Sequence, residues 1–187
     1  MSNIKFGINQ EFIDLVEKEV TQESSTSFEE KIILYSLIRS LKPEVIVETG
    51  THRGKTTLYM AQAVIDNEKG LIHTLDPFEW GAVGNFRKFP EHEKVIKYYP
   101  IKGIDCPLES FDFIFIDGFH TPSEVEAEIK ALIPKLKKGG VAVFHDTYPS
   151  DANLPFEPEN VTASIAKCGL TTVQLNTQCG MRIYAKD

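Results

Sequence analysis

The sequence predicts an α/β fold: a mostly parallel seven-stranded sheet with helices on both faces, closed by a C-terminal antiparallel hairpin. Three observations carry this expectation. Short apolar runs near 45–49, 71–75, 95–100, 111–116 and 141–144 alternate with segments of helical periodicity. The first run breaks into a glycine turn that opens a helix. The last two runs, 171–176 and 181–185, are joined by a short turn around Gln178-Cys179-Gly180, too short for a parallel crossover.

The chain of 187 residues reads as a single domain, with residues 1–42 as an N-terminal helical cap and 43–187 as the core. Residues 10–20 form an amphipathic helix with Phe12, Ile13, Val16 and Val20 on one side, and 22–26 form a polar hinge. Ser27 and Glu30 make a capping box for a helix whose apolar face includes Leu34, Leu37, Ile38 and Leu41, ended by Pro43. Val45-Ile46-Val47 is the first strand, and the helix after its glycine turn carries Leu58, Ala61, Val64 and Ile65 on one face. The second strand ends at Asp76. The strand near 95–100 must reach the strand at 111 through roughly eleven residues, close to the lower limit for a parallel crossover. Phe111-Asp112-Phe113-Ile114-Phe115-Ile116 ends in Asp117-Gly118-Phe119-His120. Thr121, Pro122 and Glu124 predict a second capping box, for a helix with Val125, Ile129, Leu132 and Leu136 on its core face, stopped by Gly139-Gly140. Val141-Ala142-Val143-Phe144 ends in His145-Asp146-Thr147, and a short helix to about Cys168 precedes the hairpin.

The glycine turn suits a nucleotide-type ligand, because positive φ lets a ligand approach the backbone and the new helix start presents free N–H groups. A phosphate-cradling loop, Gly-x-x-x-x-Gly-Lys-[Ser/Thr], needs a glycine at 49, which is Thr49. The dinucleotide fingerprint Gly-x-Gly-x-x-Gly needs one at 52, which is His52. What remains is acidic-x-Gly-x-x-x-Gly, from Glu48 to Gly54, beside the plain alternative of a turn without a ligand. Asp76 stands at a strand end about twenty residues further on, where such folds grip ribose hydroxyls.

The Glu48-to-Gly54 turn resembles motif I of the class I S-adenosylmethionine-dependent methyltransferases. Ile116-Asp117-Gly118-Phe119-His120, then Lys138-Gly139-Gly140-Val141, then Phe144-His145-Asp146-Thr147 is similar to a group of small bacterial O-methyltransferases. That group carries an Ile-Asp-Gly-x-His … Gly-Gly … His-Asp signature and is related to catechol-type and macrolide-sugar enzymes. The resemblance covers roughly residues 28–150 and, with the hairpin, most of the chain. It implies a Rossmann-like methyltransferase fold and methyl transfer from S-adenosylmethionine to a small-molecule acceptor, a hydroxyl of a sugar or phenolic metabolite. It implies cofactor contacts from Glu48, Gly50, Thr51, Gly54, Thr56, Asp76, Asp105 and Asp117. For Asp105 two readings stay open, an acceptor for the adenine amine or a turn residue before Pro107. Asp117 and Asp146 match the aspartates that hold Mg²⁺ or a similar cation in metal-dependent relatives. The usual third ligand is here Thr147, which leaves metal-assisted and metal-free readings side by side. His120 stands where catechol-type relatives carry a lysine base, and it and Asp117 are the expected catalytic pair; metal ligation and a structural role are the alternatives for the imidazole. Strand alternation points His145 away from Asp146, into a supporting role. His52 is expected to meet a cofactor through its backbone at most.

A net charge of −7 without a basic stripe argues against nucleic acid as a partner. Three cysteines without metal spacing read as free thiols in a reducing cytoplasm. No apolar run has the length of a leader or a membrane span, so a cytoplasmic protein with no membrane partner is expected. Acceptor recognition is expected from Pro77-Phe78-Glu79-Trp80, Phe86, Phe89 and residues 148–156. The N-terminal helices either cover the site or form a homodimer contact. Two other classes compete: a catalytically inactive S-adenosylmethionine-binding module, suggested by Thr147 and the short segment before 111, and an NAD-binding oxidoreductase. The closing hairpin and the missing third glycine argue against the latter.

Overall fold

Alternating apolar strands and amphipathic helices bury their faces only by layering, and the chain does so from residue 45 onward. The computed structural model describes residues 7–21, 25–147 and 158–187. Two helices lead, α1 (Gln10–Glu19) and α2 (Phe28–Leu41). They are followed by β1 (Val45–Thr49), α3 (Lys55–Asn67), β2 (Leu71–Leu75), the short α4 (Ala82–Phe86) and α5 (Pro90–Glu93), β3 (Ile96–Tyr99) and β4 (Phe111–Ile116). Then come α6 (Pro122–Leu132), β5 (Leu136–Phe144), α7 (Pro158–Lys167), β6 (Val173–Leu175) and β7 (Met181–Ala185). The sheet order is β3-β2-β1-β4-β5-β7-β6, parallel up to β5, with β7 antiparallel to both β5 and β6. The mixed seven-stranded sheet predicted from the sequence is the one observed.

Alternation along the strands builds two cores. Ile46, Phe113, Phe115 and Val143 meet Leu34 and Ile38 of α2 and Met60 and Val64 of α3. Val47, Ile114, Ile116 and Phe144 meet Val125, Ile129 and Leu132 of α6 and Ile165 of α7. The α1 helix buries Phe12, Ile13 and Val16 against Leu58, Tyr59, Phe86 and Phe89, and Glu17 pairs with Lys55 at 2.8 Å. Leu41, expected on the apolar face, stands exposed at the end of α2.

Several expectations change on the structure. Gly139-Gly140 does not stop a helix: α6 ends at Leu132, Pro134 sits in a single 3₁₀ turn (Ile133–Lys135), and both glycines lie inside β5. The Ser27–Glu30 capping box forms, but the one at Thr121 does not. The Thr121 hydroxyl donates to Glu124 Oε2 at 2.6 Å instead of accepting from the helix backbone. The crossover from β3 to β4 contains only a 3₁₀ turn, Gly103–Asp105. The penultimate strand shrinks to three residues. Residues 22–24 of the expected hinge and 148–156 of the expected acceptor segment lie outside the described residues. Among the described residues, no helix is long and apolar enough to cross a membrane.

Candidate active site

Parallel registers bring Thr49, Leu75 and Ile116 level at one edge of the sheet, and neighbouring strands lie on opposite sides of β1 there. Open α/β sheets bind ligands in that crevice. A cavity of about 430 Å³ opens over it, walled by the turns after β1, β2, β3 and β4, with Glu128 of α6 in its lining. Of the residues expected at the site, Gly50, Asp76, Asp117 and His120 line this cavity. Glu48, Thr51, Gly54, Thr56, Asp105 and Asp146 do not.

The turn after β1 is tightly determined. Gly50 has φ +86°, and a Cβ there would fall 2.0 Å from the Asp117 carbonyl oxygen, so the β1 and β4 turns touch. Gly54, at φ +77°, faces the Phe86 ring, where a Cβ would stand 2.3 Å away. Glu48 is fully buried beneath the turn, and its Oε2 accepts from the Thr57 and Thr74 hydroxyls at 2.6 Å each. Thr74 in turn meets Thr51 Oγ1 at 2.5 Å. Burial pushes the Glu48 carboxyl up to about 8 against those two hydroxyls, so it is a neutral acid at pH 7. Glu48 and Thr51 thus support the turn from behind.

Asp76 is pinned in the cavity wall. Its Oδ2 accepts from the His52 N–H at 2.8 Å and its Oδ1 from the Phe78 N–H at 2.9 Å. Phe78 and Trp80 continue that wall, with ring centroids 5.8 Å apart. Phe86 and Phe89, expected near an acceptor, are instead core residues packed around Phe12. Asp105 is exposed on the 3₁₀ turn, and Gly103 takes the place in the lining expected for it.

The turns after β4 and β5 bring together a charged cluster. His120 Nε2 lies 2.6 Å from Asp146 Oδ2. His145 Nδ1 lies 2.9 Å from Asp117 Oδ1 and 3.2 Å from Asp146 Oδ2, and its Nε2 lies 3.1 Å from Glu30 Oε2. Carboxylates beside both ring nitrogens favour a proton on each. Burial alone would push the His145 imidazole down, but Asp117, Asp146 and Glu30 together raise it well above the ordinary histidine value. Burial likewise opposes the charge on Asp146, yet the two imidazoles hold that carboxyl at about 2. His120 is raised as well, its burial outweighed by the Asp146 contact. The expected orientation of His145 is therefore corrected. Alternation ends at Phe144, and a left-handed Asp146 (φ +53°) folds His145 and Asp146 into one cluster. Thr147 turns to the hairpin, where its N–H donates to the Gly180 carbonyl.

Sequence reasoning missed two members. Glu30, read only as a helix cap, also accepts from Thr177 Oγ1 at 2.7 Å and the Cys179 N–H at 3.0 Å. Burial would raise it, but His145, Thr177 and the Ser27 N–H hold it at about 2. Glu128 sits on the buried stripe of α6 between Val125 and Ile129, and an acid interrupting an apolar stripe was the available signal. Its carboxyl, pushed up to about 7 by burial, accepts from Thr49 Oγ1 at 3.2 Å.

A family model described as a methyltransferase domain matches residues 47–147, more than half of the chain. The chain is 26% identical over 126 residues to the uncharacterized protein y4gI of Sinorhizobium fredii; the match takes in 59% of this chain but 14% of that protein. Among solved structures it is similar to the SAH-bound methyltransferase PaMTH1 of Podospora anserina, with a TM-score of 0.78 at 17% identity, covering 97% of this chain and 90% of that one. It is also similar to an O-methyltransferase from Bacillus cereus in complex with SAH, with a TM-score of 0.72 at 16% identity and coverages of 100% and 94%. The O-methyltransferase TomG of Streptomyces achromogenes, in complex with SAM, gives 0.67 at 15% identity, with coverages of 100% and 94%. The antiparallel β7, the crevice over β1 and β4, and the match across residues 47–147 converge: this chain belongs to the methyltransferase-domain family, with the class I fold.

Proposed function

We propose that the protein transfers a methyl group from S-adenosylmethionine to an oxygen of a small acceptor, a sugar or phenolic hydroxyl. One observation carries this reading: His120 and Asp117, in contact with Asp146 and His145, stand in the same cavity as the pinned Asp76 carboxylate. Asp76 keeps lone pairs for the ribose hydroxyls while two N–H groups fix its plane. Gly50 and His52 of the β1 turn border the cofactor, with Glu48 and Thr51 supporting that turn from behind. The bound cofactor supplies a methyl already activated by positive sulfur, so the protein's tasks are alignment and proton removal. His120 Nε2 stands 2.6 Å from Asp146 Oδ2, an ion-pair contact that orients the imidazole as the base for the acceptor's hydroxyl proton.

The residues at the β4 and β5 ends also fit a divalent cation. Ligand atoms of Asp117, His120 and Asp146 lie within 4.8 Å of one another, and Asp146 Oδ1 is buried without a hydrogen-bond partner among the described residues. Asp117 and Asp146 would hold Mg²⁺ or a similar ion, which supplies charge that acidifies a coordinated hydroxyl.

Calorimetric titration with S-adenosylmethionine and S-adenosylhomocysteine, with and without Mg²⁺, tests this. Micromolar binding is expected in the wild type, weakened at least ~10-fold in Asp76→Ala, a loss in the range of charge-assisted hydrogen bonds. Turnover should fall ~10²-fold or more in His120→Ala with binding retained. Binding without turnover across a broad acceptor panel would favour an inactive cofactor-binding module. NAD binding in place of either compound would overturn the reading.

A further inference from the structure

Glu128 is 3% exposed on the core face of α6, where an apolar side chain would serve the packing as well. Two glycines make room for its carboxyl: a Cβ on Gly103 would stand 2.3 Å from Oε1, and one on Gly118 3.2 Å from it. Thr49 Oγ1 donates to Oε2, and among the described residues no other hydrogen bond reaches the carboxyl. Glu128 nevertheless lines the cavity, between the turns after β3 and β4. It is thus a buried, half-satisfied acid set into a ligand wall, an arrangement that core packing alone disfavours.

Resting on the cofactor reading above, we infer that Glu128 reads the adenine edge of the cofactor, donating its carboxyl O–H to a ring nitrogen and accepting from the exocyclic amine. Asp76 marks the ribose end of the cavity on the β2 side. The base then extends toward Gly103 and Gly118 beside Glu128, with Phe78 and Phe119 as apolar surfaces in the same lining. A neutral carboxyl offers one donor beside one acceptor, the complement of a ring nitrogen beside an amine; a carboxylate offers acceptors only. Burial raises this carboxyl to about 7; Glu124 and Asp117 push in the same direction, while Thr49 and His120 oppose. The neutral form therefore prevails below neutrality.

The test is calorimetric titration of S-adenosylhomocysteine from pH 5.5 to 9 against wild type, Glu128→Gln and Glu128→Leu. Its inosine counterpart, whose base carries a carbonyl and a protonated ring nitrogen, is titrated in parallel. Wild-type affinity is expected to fall toward tenfold per pH unit above about 7 relative to Glu128→Gln, whose carboxamide keeps a donor and an acceptor without titrating. Glu128→Leu should bind at least ~10-fold more weakly at pH 6 and lose the preference for adenine over hypoxanthine. Parallel pH profiles for wild type and Glu128→Gln, or an unchanged base preference in Glu128→Leu, would overturn the inference while leaving the cofactor reading intact. No wild-type binding at any pH would overturn both. The wild-type and Gln profiles decide the matter even if the Leu variant does not fold.

Discussion

Glu48→Gln should make the protein more stable at neutral pH, with a sign that can be worked out in advance. Glu48 is fully buried; its Oε2 accepts two threonine hydroxyls and its Oε1 has no partner among the described residues. Burial lifts the carboxyl from 4.5 to about 8, so between those values the folded chain keeps a proton that the unfolded chain releases. Stability must therefore fall as pH rises from 4.5 to 8, by about 1.4 kcal/mol per pH unit in the middle of that window. The carboxamide oxygen of the variant accepts the same two hydroxyls and does not titrate. Measured against wild type, Glu48→Gln should gain about 2.5 kcal/mol between pH 5 and pH 7. In a chain of this size that corresponds to a relative rise in Tm of about 5–10 °C. Thermal and urea unfolding of both proteins at pH 5, 6 and 7 measure it. Parallel dependence of Tm on pH in the two proteins would show that Glu48 is ionised in the fold and refute the reasoning.

Three further changes probe the site's frame. Gly50→Ala places a Cβ 2.0 Å from a backbone oxygen at φ +86°, and should cost about 3 kcal/mol or more in the urea unfolding free energy. Gly84→Ala, in α4 with nothing within 4 Å, should be neutral or stabilising by up to ~1 kcal/mol, and the opposite order would refute the contact between the β1 and β4 turns. Glu30→Ala strips His145 of a buried partner and should cost about 3–5 kcal/mol. Because Glu30 is held at about 2, its contribution is present above 4.5 and lost as pH falls toward 2. Urea unfolding from pH 3 to 7 should show a shallower acid loss in the variant, and a cost below ~1 kcal/mol at pH 7 would refute the pairing.

The sheet was legible because burial on both faces leaves nearly unbroken apolar runs, as in Phe111 to Ile116, and because Asp76 and Asp117 directly follow their strands. Topology alone then brings strand ends together, so Asp76, Asp117 and Asp146 could be placed near one edge from spacing. Local punctuation misled where two signals competed. Gly139-Gly140 reads as a helix stop, yet Pro134 had already ended the helix and Gly139 serves a bend inside β5 at φ +76°. Long-range partnerships were illegible for a different reason. Glu30 satisfies the local grammar of a capping box, and nothing at that level tells that its carboxylate also meets His145, 115 residues away. Glu128 follows the spacing of a core stripe while breaking its chemistry, and only the two facing glycines explain how a carboxyl fits there.

The His145 cluster is expensive to build, and the expense is informative. Imidazole and carboxylates buried together gain little over a well-packed apolar patch of the same volume, because each charge gives up its hydration. What the arrangement secures is relative position. Glu30 comes from α2, Asp117 from the turn after β4 and Asp146 from the turn after β5; Thr177 and Cys179 come from the closing hairpin. None of these elements can shift by an ångström without leaving a buried charge unpaired. Thr26 Oγ1 adds a donor to Asp117 Oδ2 at 3.2 Å from just before α2. Asp117 is therefore located by both ends of the chain, although its own strand lies at the centre of the sheet. The methyl transfer proposed above would require in-line alignment, for which misplacement of about 1 Å is costly. A frame that fixes Asp117, and through Asp146 also His120, would meet that requirement.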